Sequence, residues 1–241
     1  MQVSLHRIDA GFNHVAVLAY EARRPRDVTL VVGHGYSSSK HNLDMLCGFL
    51  ASHGFAVYSL DFPGHKLGAG GGRLRSAGDL LDAMAAVVAF ARERGAATIY
   101  TLGHSMGATT ALCVGGADAA LAGAIAIATG YGRPSVLDAL AARGVVDLRA
   151  SYVDGLSLPE LAREWDPLLD RALAGLAGRP TLFIAAERDG MVSRASVDEL
   201  FGRAPEPKTL VTVDSDHTFA GDASRSAVLQ WLGAMHPRRA A

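Results

Sequence analysis

The chain has 241 residues, 49% of them apolar, and its 23 Lys+Arg nearly cancel its 24 Asp+Glu, for a formal net charge of -1. That is too apolar for a disordered chain and too neutral for a phosphate-binding footprint, so neither disorder nor nucleic acid organises it. The length suits one large α/β domain with a substantial core.

Two cysteines, Cys47 and Cys113, fall inside helical patterns; they cannot build a disulfide framework and fit a reducing compartment. Met1-Gln-Val-Ser-Leu-His-Arg-Ile-Asp9 lacks the basic region and apolar run of a signal peptide. No apolar segment approaches the ~20 residues that span a bilayer. The expectation is a soluble, cytoplasmic protein with no membrane span, ending in a solvated tail at Pro237-Arg-Arg-Ala-Ala241.

Val3 to Ile8 and His14 to Tyr20 read as strands joined by a hairpin at Gly11-Phe-Asn13. Val28-Thr-Leu-Val-Val32 is a continuous β-branched run, the mark of a strand buried on both faces, and it stops at Gly33-His-Gly-Tyr36. Leu43, Leu46, Cys47 and Leu50 recur at helical spacing until Gly54. Phe55-Ala-Val-Tyr-Ser-Leu60 is the next buried strand, ending at Asp61-Phe-Pro-Gly-His65. The glycine-rich run Gly68-Ala-Gly-Gly-Gly-Arg73 is expected to be mobile, since such backbone is entropically hard to fix. It lacks the Lys-Ser/Thr of a phosphate-cradling loop. Leu80, Leu81, Met84, Val87, Val88 and Ala91 form the apolar face of a helix that Gly95 closes.

Thr98 to Cys113 then reads as strand, tight turn and small-residue helix, with Ser105 at the apex of Gly103-His-Ser-Met-Gly107. Such a turn lifts a serine hydroxyl over a helix N-terminus, where the dipole and free N–H groups favour developing negative charge. Ala124-Ile-Ala-Ile-Ala128 is another buried run. The stretch 131–179 departs from the β–α alternation and is too long for a structureless loop. It carries a capping box at Ser157-Leu-Pro-Glu160 and a second helix start at Asp166-Pro167, which suggests an inserted helical lid, against the plainer reading of a structural excursion. Pro180 to Ala185 and Thr209 to Val213 are the last strands, followed by Glu187-Arg-Asp189 and Asp214-Ser-Asp-His-Thr-Phe219. Strands alternating with helices imply a mostly parallel sheet covered on both faces, with the ligand site outside the C-terminal strand ends.

All these polar clusters follow strands and so converge on one sheet edge. A serine hydroxyl is a weak nucleophile that needs a base, itself oriented by a carboxylate. His217 is the candidate base and Asp189 the candidate acid, with Glu187, Asp214 and Asp216 as neighbouring carboxylates. The expected oxyanion donors are the backbone N–H groups of Met106 and Tyr36, with Ser37 as the alternative to Tyr36. His34, His41, His53 and His65 lack metal-ligand spacing, so neither metal nor cofactor is expected.

On these motifs the chain resembles the α/β-hydrolase superfamily, in its lidded serine esterase, lipase and aminopeptidase-like group. The resemblance runs over nearly the whole chain apart from the 131–179 segment, and the order Ser105, Asp189, His217 is that of the superfamily. One departure is that Lys66 and Gly68 stand where relatives commonly carry Gly and Ser. The resemblance implies one domain over 1–241 and hydrolysis of small to medium acyl or aromatic esters through an acyl-enzyme. Thioester, amide or acyl-transfer chemistry on the same residues is the alternative, or a catalytically silent ligand-binding fold. Tyr131, Tyr152 and Trp165 are the candidate substrate contacts. The partner expected is a small-molecule acyl substrate, with a homodimer left open.

Overall fold

The computed structural model describes residues 1–11, 13–132 and 151–238. Its strands are β1 (Gln2–Ala10), β2 (Asn13–Glu21), β3 (Val28–Gly33), β4 (Ala56–Leu60), β5 (Thr98–His104), β6 (Gly123–Ile127), β7 (Thr181–Ala186) and β8 (Lys208–Val213). They form one sheet in the order β1-β2-β4-β3-β5-β6-β7-β8. β1 and β2 pair antiparallel, β2 pairs antiparallel with β4, and every pairing beyond β4 is parallel. β3, β5, β6 and β7 are buried along almost all their length, because helices cover both faces.

The helices are α1 (Asp44–Ser52), α2 (Ala77–Glu93), α3 (Met106–Ala117), α4 (Leu158–Ala172), α5 (Arg194–Arg203) and α6 (Arg225–Met235), with a single turn at Ala220–Ala223. Alternate residues of β3 sort the two layers. Leu30 and Val32 point into a core with Leu46, Leu50, Val228 and Leu232 of α1 and α6. Val31 points the other way, among Met84, Val87 and Trp165 of α2 and α4. α3 is buried almost all round, so its small residues let it lie close to the sheet. No helix of the described residues is long and apolar enough to cross a membrane.

Three sequence expectations change. The anticipated helix break at Asp166-Pro167 is absent, and α4 runs through Pro167. Leu161, Trp165 and Leu169 are buried on either side of the proline, so packing holds the helix together across the missing backbone hydrogen bond. The capping box is present, with the Ser157 side chain accepting from Glu160 N–H and the Glu160 carboxylate accepting from Ser157 N–H. The glycine-rich loop is tied down: Ala69 N–H donates to the Asp61 carboxylate at 2.7 Å and Gly71 N–H to the His14 carbonyl at 2.9 Å. A Cβ on Gly68 would lie 2.4 Å from Asp61 Cγ, so glycine there serves close approach to a buried carboxylate.

The third concerns the 131–179 segment. Residues 133–150 lie outside the described residues. α4, from the part that is described, packs on α2 and α3 as core, a wall of the molecule whose first residue, Leu158, reaches the cleft. The expected tail lies outside the described residues from 239 onward, as does Phe12 of the first hairpin.

Candidate active site

β5 delivers His104 and then turns sharply. Ser105 caps α3 with φ 54 and ψ -113, a conformation an L-residue adopts only when its surroundings impose it. The surroundings are visible. Ser105 N–H donates to the Ile127 carbonyl at 2.8 Å, pinning the turn to β6. A Cβ on Gly103 would meet the Gly107 carbonyl oxygen at 2.0 Å, and one on Gly107 would meet the Gly33 carbonyl oxygen at 2.2 Å. Both glycines are therefore required for α3 to start this close to β3 and β5.

The loops after β7 and β8 bring two further side chains to that turn. His217 Nε2 lies 3.0 Å from Ser105 Oγ, and His217 Nδ1 lies 2.8 Å from Asp189 Oδ2. A carboxylate only accepts, so Nδ1–H points at Asp189 and Nε2 is left to accept from the serine hydroxyl. The other carboxylate oxygen, Asp189 Oδ1, accepts from the N–H groups of Met191 and Val192, each at 2.8 Å. Burial opposes ionisation of Asp189, but the hydrogen bonds from His217, Val192 and Met191 outweigh it and hold the carboxyl below its ordinary range. Of the neighbouring carboxylates, Asp214 pairs with Arg188 and Asp216 accepts from Phe219 N–H at 3.0 Å.

Ser105 opens into a cavity of about 270 Å³, lined on one side by Gly35, Tyr36, Ser37 and Ser38 and on the other by Leu158, Met191 and Thr218. The β3 loop is shaped by His34, whose Nδ1–H donates to the Gly35 carbonyl at 2.7 Å and whose Nε2 accepts from Phe62 N–H at 3.0 Å. That pattern requires neutral imidazole. Burial, with His65 4.9 Å away ring to ring, pushes His34 far below the usual histidine range. Tyr36 spends its hydroxyl on the Leu156 carbonyl at 2.9 Å, so what it offers the cavity from its polar groups is its backbone. Met106 follows Ser105 as the first residue of α3.

None of Tyr131, Tyr152 and Trp165 is among the residues that line this cavity. Tyr131 lies under the Arg203 guanidinium, 3.9 Å away, and donates its hydroxyl to Asp170. Trp165 is buried in the core, and Tyr152 is exposed beside Lys66. Aromatic type alone did not separate pocket from core or surface. One contact escaped sequence reasoning: His104 Nε2–H donates to the His217 backbone carbonyl at 2.8 Å. A histidine directly before the serine carried the only signal for it. Ser37, the alternative to Tyr36, lines the cavity with φ 56. Among the described residues no group of three or more His, Cys, Asp or Glu could hold a metal ion. Burial pushes both cysteine thiols up to about 12, so neither offers a thiolate.

The structure is similar to the esterase Pf2001 of Pyrococcus furiosus, with a TM-score of 0.71 and 22% identity over 98% of this chain and 90% of that one. It is similar to the esterase domain of a Rhodothermus marinus protein (TM-score 0.68, 21% identity, 98% of each chain). It is also similar to Est1E of Butyrivibrio proteoclasticus with ferulic acid bound (TM-score 0.74, 17% identity, 94% of this chain and 97% of that one). These likenesses establish the fold. No match to a curated protein was found. The family described as serine aminopeptidase, S33, matches residues 24–165, more than half of the chain and inclusive of the Ser105 turn. With that match, on an eight-stranded sheet whose strand ends carry the serine, the chain belongs to the serine aminopeptidase S33 family of α/β-hydrolases.

Proposed function

We propose that the protein is a serine hydrolase that cleaves carboxylic esters of small to medium acyl or aromatic acids. The observation that carries this reading is the chain of hydrogen bonds from Ser105 Oγ through His217 to Asp189, at 3.0 and 2.8 Å. His217 Nε2 takes the serine proton as Oγ attacks the ester carbonyl, and Asp189 holds the imidazole and stabilises its charged form. The carbonyl oxygen, now negative, is held by the N–H groups of Met106 and Tyr36. Collapse of the intermediate expels the alcohol, which receives the proton from His217. A water activated by the same histidine then cleaves the acyl-enzyme.

Esters are preferred to peptides for a physical reason. An aminopeptidase must pair the free α-ammonium group of its substrate, and no Asp or Glu is among the described residues lining the cavity. The cavity, about 270 Å³, suits a compact acyl group.

The test is labelling with a fluorophosphonate, with the site mapped by mass spectrometry, beside hydrolysis of p-nitrophenyl acetate. Label is expected on Ser105, and Ser105→Ala is expected to lose about 10⁴-fold or more in kcat. Unlabelled protein that is as inert as Ser105→Ala across a panel of acyl lengths would overturn the proposal.

A further inference from the structure

The cavity at Ser105 has apolar lining from both layers of the sheet. Leu158 and Met191 line it from one layer: Leu158 belongs to the cluster of Met106, Leu161 and Trp165, and Met191 packs against that cluster. Leu43 lines it from the other layer, in the cluster of Leu46, Leu50 and Ala220. Both linings are held in place. The chain entering α4 is tied by the Tyr36 hydroxyl on the Leu156 carbonyl and by Leu156 N–H on the Leu74 carbonyl, each at 2.9 Å. The Ser157–Glu160 capping box then fixes the first turn, so Leu158 is a firm wall. Leu43 sits against the turn that follows His217, where a Cβ on Gly221 would lie 2.5 Å from Leu43 Cδ2. Apolar walls take hydrocarbon, and a wall that is held in place limits how much.

The direction of the reaction tells the two ends apart. The leaving alkoxide takes its proton from His217 Nε2, so the alcohol half of the ester lies on the side of the His217 loop. That loop runs through Thr218, which lines the cavity, to the Gly221 turn against Leu43. The acyl carbon, bonded to Ser105 Oγ, carries its chain the other way. We propose that Leu158, with Met191 on the same cluster, ends the acyl pocket and sets the longest acyl chain accepted, while Leu43 bounds the alcohol pocket. The inference rests on the serine hydrolase reading above. Leu158 and Leu43 are specificity-determining residues and take no part in bond making.

The experiment measures kcat/KM for two ester series in wild type, Leu158→Ala, Leu158→Phe and Leu43→Ala. The acyl series runs from p-nitrophenyl acetate to p-nitrophenyl octanoate, and the alcohol series from methyl acetate to hexyl acetate. Leu158→Ala is expected to raise the octanoate-to-acetate ratio about tenfold and Leu158→Phe to lower it about tenfold, with the hexyl-to-methyl ratio within about twofold of wild type in both. Leu43→Ala is expected to raise the hexyl-to-methyl ratio about tenfold and to leave the acyl ratio within about twofold. A merely structural leucine, once replaced, lowers every ester together and leaves the ratios in place, so acyl ratios within about twofold of wild type in both Leu158 variants overturn the proposal. So does an exchange of responders, with Leu158 moving the alcohol series or Leu43 the acyl series, and so does an alcohol ratio that Leu43→Ala leaves unmoved. A wild type that turns over no ester and takes no fluorophosphonate label overturns the underlying reading and this one with it. Ester turnover lost in Ser105→Ala, with the ratios unmoved in the leucine variants, overturns this one alone.

Discussion

His104 adjoins Ser105 in the chain, yet it hydrogen-bonds to His217, more than a hundred residues later. By donating from Nε2 to the His217 carbonyl, it fixes the loop after β8 while the His217 ring faces the serine. The two imidazole rings lie 4.9 Å apart, so a shift in one is felt by the other. His104→Ala is expected to lower kcat/KM for p-nitrophenyl acetate about tenfold, the worth of one net hydrogen bond. His104→Gln, which keeps a donor at the same reach, is expected to recover most of it; equal losses in both variants would remove the positioning role. At this scale the sequence already pointed Ser105, Asp189 and His217 toward one sheet edge, because each follows a strand with a strong β-branched or apolar signal, and the three side chains do meet there. It missed the contact His104 makes, because a backbone acceptor leaves no trace in a residue pattern. Tyr131 and Trp165 went astray for a related reason. Both are large and aromatic, and only tertiary packing sends one to a guanidinium and the other to the core.

The element that decides the site is the β5–α3 turn, and its tolerance can be read from space alone. The Cβ that Gly107→Ala adds would lie 2.2 Å from the Gly33 carbonyl oxygen, a backbone atom fixed in the sheet. The change is expected to cost about 3 kcal/mol. In a chain of this size that lowers the melting temperature by roughly 6–12 °C, with loss of ester turnover. Gly48 in α1 is the counterpart, because a Cβ there meets nothing within 4 Å. Gly48→Ala is expected to gain about 0.5–1 kcal/mol with activity unchanged. Two melting curves check both. The parallel strands and α1 to α3 were legible from periodicity and from glycine at the helix ends. α4 was legible only to Pro167, since local propensity argues for a stop that burial of Trp165 and Leu169 overrides.

Over the whole molecule the buried titratable groups set the response to acid. Burial, chiefly, holds His34 and His65 below the ordinary value of 6.5, His65 at about 4. Between those values the unfolded chain binds protons that the folded chain refuses. The stability these histidines contribute is therefore complete above about pH 6.5 and drains as pH falls toward 4. Asp61, Asp79 and Asp189 act lower. Each is disfavoured as an anion by burial but held below 3.8 by its hydrogen bonds, so their contribution is present above about 3.8 and lost beneath it. The urea midpoint is expected to be lower at about pH 5 than at about pH 7.5. His65→Asn, which keeps a donor for the Pro63 carbonyl, is expected to flatten that difference, and an unaltered difference would remove His65 from the account. None of this was legible in the sequence, where His34 and His65 were only histidines without metal-ligand spacing.

Asp61 is fully buried, and its carboxylate receives the Lys40 ammonium, the Lys40 N–H and the Ala69 N–H. Lys40 closes the β3 loop that carries Tyr36 and Ser37, and Ala69 belongs to the glycine-rich loop, so one side chain measures the length of both. Exchanging either loop with that of a relative is therefore a three-part transplant. A donor loop arriving without its own match to Lys40, Asp61 and Gly68 would strand a charge in the interior, and engineers of substrate range should treat the two loops as a single cassette.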